Sequence, residues 1–242
     1  MYTKVKVVIP ARLTSTRLPE KMLLQAGGVP LFIHTANRCR EAVSINDIII
    51  ATDSEKIAKQ ASQFGYNSVM TSPNCKTGTD RVAEVCSNFS LDTCIINVQG
   101  DEVEVDPANI KHLIQLKKLN PHTVVTGKYK LDKETFHDIR SAKIVTDALN
   151  NILYISRSPI PGSKNPDLVF PSFAQVSIYA FNADELKFFT NRNPGPLETI
   201  EGIELLRFLE ASFSVKAFEM ENKGISIDTI DQYEAFKNKI EK

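Results

Sequence analysis

Apolar positions in the first half of the chain alternate between two periods. Residues 4–9 (KVKVVI), 47–52 (DIIIAT), 67–70 and 93–98 (TCIINV) are short, mostly β-branched runs, the pattern of buried strands. Helix-like segments lie between them: 30–42, opened by a proline at a first-turn position; 55–64, with Ser54 as cap and Gly65 as stop; 79–89; and 107–119. Strands separated by helices of ~10–15 residues predict βαβ units and an α/β, doubly wound, mostly parallel sheet. Such sheets bind ligands beyond the carboxyl ends of their strands. The loops at 10–21, 71–79 and 99–107 all fall there.

After residue 124 the pattern turns β-rich, with strand-like pieces at 124–130, 142–146, 152–155 and 173–181. A Pro/Gly/Asn-rich loop at 158–171 is long for an ordinary connection and is a candidate mobile segment or dimer contact. A helix at 196–212, a strand at 214–219 and a terminal helix at 230–241 complete the reading. The expected arrangement is one domain, residues 1–242, with an embedded β-rich insert.

Charge narrows the possible partners. The 29 basic and 29 acidic residues cancel, so no global field favours nucleic acid or an anionic membrane, and any phosphate site must be built locally. No apolar run approaches the ~20 residues of a membrane span, and the first residues turn polar too early for a signal peptide. Cys39, Cys75, Cys86 and Cys94 show no paired spacing, which suits packing roles in a reduced, cytoplasmic protein. His34, His112, His122 and His137 form no ligand spacing either.

Three loops hold the candidate chemistry. The segment after the first strand, PARLTSTRLPEK, carries Arg12, Arg17 and Lys21 among small hydroxylated residues; guanidinium forks and an ammonium suit phosphate oxygens. It lacks the spacing of a P-loop, and three cations in a loop are also common on a solvated face. In QGDE, Asp101 follows a strand end, where a carboxylate is placed to hold Mg²⁺; a plain Gly-Asp turn is the alternative. Asp228, in SIDT, offers a second carboxylate or a helix cap. In TGTDR, Gly78 admits close backbone approach and Thr79 is a candidate cap.

The ordered set PARLTSTRLPEK, IATD, MTSPNCKTGTDR, INVQGDE, SRSPIP, LETIEGIELLRFLE and SIDT resembles the CMP-Kdo synthetases, the 3-deoxy-manno-octulosonate cytidylyltransferases, over nearly the whole chain. The resemblance implies a Rossmann-like nucleotidyltransferase fold, a homodimer through the β-rich insert, CTP, an acidic 3-deoxy sugar and Mg²⁺. It implies Arg12, Arg17, Lys21 and Asp101 as catalytic residues, with Asp101 and Asp228 as metal carboxylates. Nucleotide contacts would come from Pro10, Ala11, Arg12, Thr77, Gly78, Thr79, Arg81 and Gln99. Sugar contacts would come from Gln99, Arg157, Gln175, Tyr179, Glu198 and Glu201. The implied reaction joins CMP to the anomeric hydroxyl of Kdo or a close relative and releases pyrophosphate.

Departures from that pattern cluster on the sugar side. Glu20 and Met22 stand where the family usually has glycine and proline, with Glu20 expected to point outward. Val103 replaces a proline, Glu104 is unexpected, and Gln175 replaces a histidine. A cytidylyltransferase for a different or modified 3-deoxy ulosonic acid is therefore a second reading. A non-catalytic nucleotide-binding protein that keeps the fold is a third.

Overall fold

The computed structural model describes residues 2–15, 18–165 and 171–242. Its strands are β1 (Lys4–Ala11), β2 (Gln25–Ala26), β3 (Val29–Pro30), β4 (Ile48–Thr52), β5 (Asn67–Met70), β6 (Thr93–Val98), β7 (Val124–Lys130), β8 (Lys143–Thr146), β9 (Ile152–Ser156), β10 (Phe173–Phe181) and β11 (Val215–Glu219). Its helices are α1 (Leu31–Arg40), α2 (Glu55–Gln63), α3 (Gly78–Cys86), α4 (Pro107–Leu119), α5 (Ala183–Thr190), α6 (Pro196–Glu201), α7 (Leu206–Glu210) and α8 (Ile230–Ile240).

The main sheet runs β11-β7-β10-β6-β1-β4-β5. β1 pairs parallel with both β4 and β6, while β10 is antiparallel to β6 and β7. The chain leaves β1 toward β4 and β5, then returns to its other side with β6. This reversal opens a crevice at the carboxyl ends of β1 and β6, where doubly wound sheets bind ligands.

Alternation along the strands divides the core. Val7, Ile9 and Ala11 of β1 face α1, α2 and α4, packing with Phe32, Ile57 and Leu113. Val8 faces the opposite layer, with Val82 of α3, Phe189 of α5 and Phe208 of α7. A third cluster of Leu18, Ala26, Leu31, Val103, Ile227, Tyr233 and Phe236 docks α8 beside the crevice.

Several sequence expectations change in detail. The β-rich segment joins the main sheet through β7 and β10, and only β8 and β9 lie off its path. The expected helix over 196–212 is two short helices, because Gly202 adopts a left-handed backbone (φ 63°) that ends α6. Helix α5 is an addition; its signal was the Asn182/Glu185 capping box. Ser54 precedes α2 without capping it through its side chain. Thr77, rather than Thr79, caps α3, in a reciprocal box with Asp80.

Candidate active site

A cavity of about 490 Å³ opens at the crevice, within the ~300–1,000 Å³ usual for small-molecule sites. The end of β1 contributes Pro10, Arg12 and Ser15; the loop before α3 contributes Cys75, Lys76, Thr77 and Gly78; the end of β6 contributes Gln99 and Asp101. Pro194, Glu198, Thr199, Gly202 and Glu204 form the facing wall around α6.

Lys21 is the hub. Its ammonium lies 2.5 Å from Asp101 and 3.4 Å from Asp228. Asp228 reaches this point because the Ile227 amide donates to the Asp101 carbonyl at 3.0 Å. Thr229 is the residue that caps α8, with Gln232, so the Asp228 side chain is turned to the cavity instead. Two hard carboxylates converge on one cation, the donor chemistry that Mg²⁺ shares with phosphate oxygens and water. Among the described residues no group of three or more His, Cys, Asp or Glu has metal-ligand geometry. Arg17 lies outside the described residues. Arg12 is exposed and makes no ion pair among the described residues.

Other expected nucleotide contacts prove to be mixed. Gly78 sits close against its neighbours: a Cβ there would lie 2.9 Å from Gln99 Oε1, the movable end of a side chain, and 3.3 Å from Pro10. Ala11 buries its methyl in the core, which leaves only its backbone toward the crevice. Thr79 is buried; its amide donates to Glu204 at 3.1 Å and its hydroxyl is 3.4 Å from Asn97. Arg81 lines the cavity but is buried, paired with Asp53 at 2.8 Å and bonded to the Thr71 hydroxyl. Asp53 also accepts from the Leu13 amide at 3.2 Å. Arg81 therefore locks together the loops that follow β1, β4 and β5.

The expected sugar-binding residues divide more sharply. Glu198 borders the cavity, yet both its oxygens are taken by the Arg207 fork at 2.6 and 2.7 Å. Glu201 lies off the cavity lining and accepts from Ser156 Oγ and the Arg157 amide at 2.5 and 2.8 Å. Arg157 donates to the carbonyls of Glu201, Ile139, Arg140 and Gly202. Glu198 is thus committed to the Arg207 side chain, while Glu201 and Arg157 hold backbone in place.

Gln175 donates to the Tyr179 hydroxyl at 2.7 Å, while its Oε1 is buried without a hydrogen-bond partner. Neither residue is among those that line the cavity; burial, then the charges of Glu204 and Glu102, raises the Tyr179 phenol, so that hydroxyl stays protonated. Burial, reinforced by the Asp101 charge, likewise pushes the Glu102 carboxyl up to about 8.

The sequence reading overlooked Glu204, Lys76 and Ser15, all on the cavity wall. Glu204 had a signal, three residues beyond Glu201 in a segment already singled out, although its burial, which raises its carboxyl, was invisible. Glu20 is exposed and pairs with Lys56 of α2 at 3.3 Å, directed outward as expected. It adopts a left-handed backbone (φ 48°), which explains why glycine is the easier residue there.

A sequence model described as Cytidylyltransferase matches residues 6–221. The chain is 37% identical over 229 residues to the 3-deoxy-manno-octulosonate cytidylyltransferase of a Nitratiruptor species, covering 92% of this chain and 94% of that protein. It is 36% identical over 232 residues to the enzyme of that name from Chloroherpeton thalassium, covering 94% of each. A CMP:2-keto-3-deoxy-manno-octonic acid synthetase solved in complex with CTP superposes with a TM-score of 0.92 at 30% identity, over 99% of both chains.

Proposed function

The chain belongs to the cytidylyltransferase family, and on that premise we propose that it transfers CMP from CTP to the anomeric hydroxyl of 3-deoxy-D-manno-octulosonate or a close relative. Pyrophosphate leaves, and the CMP-sugar serves surface-polysaccharide synthesis. The observation that carries this reading is the meeting of Lys21, Asp101 and Asp228 at the crevice end of β1 and β6, beside Arg12 and Lys76.

The chain's residues have separable tasks in this reading. Arg12, Lys76 and Lys21 gather the triphosphate and offset charge as the α-phosphorus is attacked, a step that depends mainly on positioning and electrostatics. Thr77 and Gly78 border the base, and Gln99, wedged against Gly78, is held toward the acceptor. Asp101 and Asp228 would hold Mg²⁺, which when bound neutralises phosphate charge and eases deprotonation of the acceptor hydroxyl.

Solvent-facing Leu149 and Leu153 on the β8–β9 unit, 70% and 62% exposed, support a homodimer through that unit. No helix among the described residues is long and apolar enough to cross a membrane. A second reading, a cytidylyltransferase for a modified 3-deoxy acid, draws on the buried, unpartnered Gln175 Oε1, although Gln175 is not among the residues that line the cavity.

Pyrophosphate release from CTP with Mg²⁺, measured against a panel of sugar acids, tests the assignment. A strong preference for CTP and for one 3-deoxy acid is expected. Equal release from ATP, or none with any acid, overturns it.

A further inference from the structure

Asp101 and Asp228 line the cavity, and the facing wall around α6 carries Glu204 and Glu198, the latter paired with Arg207. An acceptor that brings its own carboxylate into that field needs a cation nearby. Arg12 and Lys76 stand at the nucleotide end, after β1 and β5. Arg157 is committed to four backbone carbonyls. We propose that Arg140 is the residue that selects a carboxylate-bearing acceptor, an inference that rests on the acid-sugar cytidylyltransferase reading above.

The segment carrying Arg140 is tied to the cavity wall through Arg157, although Arg140 itself is not among the residues that line the cavity. Lys143, fully buried, donates to the carbonyls of Asp138, Ser141 and Arg157 at 2.6, 2.9 and 2.7 Å. The Arg157 guanidinium bridges the carbonyls of Ile139 and Arg140 to that of Gly202, and Gly202 lines the cavity. One guanidinium therefore separates this segment from the α6 wall. The cluster sets three cations (Arg140, Lys143 and Arg157) against two carboxylates, Asp138 and Glu201, leaving net positive charge.

Arg140 itself is oriented yet open. Asp138 accepts from its Nε at 3.0 Å and its Nη2 at 2.7 Å. Among the described residues nothing accepts from Nη1, and the side chain is 63% exposed. A guanidinium held by one edge presents the other to an incoming carboxylate with little rotamer freedom left to lose. The hydrogen bond and charge of Asp138 hold Arg140 above the usual guanidinium range, and Asp228 contributes to the same effect, so the group lies in the field of a cavity carboxylate.

Steady-state pyrophosphate release tests this, using the sugar acid and its carboxamide as paired acceptors with wild type, Arg140→Gln and Arg140→Lys. Wild type is expected to favour the acid. In Arg140→Gln the KM for the acid rises about tenfold, equivalent to ~1.4 kcal/mol, the KM for CTP stays within about twofold, and the preference for acid over amide collapses. Arg140→Lys restores part of that preference, and thermal melts of the three proteins coincide. An unchanged acid KM and unchanged preference in Arg140→Gln overturn the proposal and leave the Arg140–Asp138 contact as a surface ion pair of little consequence. Failure of wild type to turn over any sugar acid overturns the underlying reading instead, and this proposal with it.

Discussion

The Lys21 ammonium stands 2.5 Å from the Asp101 carboxylate, with Asp228 on its far side at 3.4 Å. A lysine thus occupies the space between two carboxylates that would otherwise repel each other. Lys21→Met is expected to bind Mn²⁺ or Mg²⁺ about tenfold more tightly without nucleotide, because the competing cation is gone. The same change should lower kcat by ~100-fold or more through lost charge at the phosphates. Calorimetric titration showing unchanged metal affinity would argue against a shared cation position. Asp101→Asn should abolish metal-dependent turnover with little change in Tm; a variant that keeps most of its activity would make Asp101 a turn residue.

Gln175 carries a buried carbonyl oxygen without a partner, next to a Tyr179 hydroxyl it already bonds. A ligand donor that satisfied such a group would contribute ~1–3 kcal/mol. Gln175→His should therefore shift the ratio of kcat/KM between Kdo and a relative bearing an extra donor by roughly one to two decades, with the KM for CTP unchanged. Identical sugar preference across two acids would mean that glutamine only supports Tyr179.

Deep under β7, Lys117 and Glu185 are paired at 2.6 Å with almost no solvent contact. The lysine also donates to the carbonyls of Pro121 and Thr123. Burial lowers the Lys117 ammonium and raises the Glu185 carboxyl, while each partner's charge opposes the shift. Lys117→Ala should destabilise the protein by about 3–5 kcal/mol, since it strands a buried carboxylate, whereas joint replacement by Met and Leu should cost less, about 1–3 kcal/mol, because only the buried Asn182 amide and Thr123 carbonyl lose a partner. Urea denaturation of the single and double variants distinguishes these outcomes. An equal loss in both would show that the pair itself stabilises.

Cys75 borders the cavity, but burial, then its hydrogen bond to Glu84 and that carboxylate's charge, push its thiol up to about 12. At pH 8 the thiolate fraction is then about one part in ten thousand. Iodoacetamide should label Cys75 far more slowly in the native protein than in the unfolded one, with the rate climbing as pH rises toward 12. Glu84→Gln should accelerate labelling. Native labelling at the unfolded rate at pH 8 would contradict the assigned environment.

The strands of the central sheet were legible because β-branched runs such as residues 93–98 need no tertiary context to be recognised. Helix α5 and the break at Gly202 were not, since periodicity alone does not separate one interrupted helix from two. In the site, Lys21, Asp101, Asp228 and Gly78 were identified by type and place and Gln99 through the family resemblance, and the structure brings them together. Glu198, Glu201 and Arg157 were equally visible as charges. Their commitment to Arg207, Ser156 and backbone carbonyls depends on neighbours far away in sequence, which no local pattern encodes.

Lys21 and Asp228 meet across 207 positions of chain, and the third core cluster that docks α8 is what brings them together. Closing so long a loop is entropically late work for a folding polypeptide. Under the proposed function, a chain still emerging from the ribosome can therefore form β1 and β4 while remaining chemically silent, because Asp228, one of the two proposed metal carboxylates, has yet to be synthesised. In the finished protein the same dependence runs in reverse. Brief detachment of α8 would draw Asp228 away from Lys21 while the sheet stays intact, so under the proposed function activity should disappear on warming before the bulk of the molecule melts.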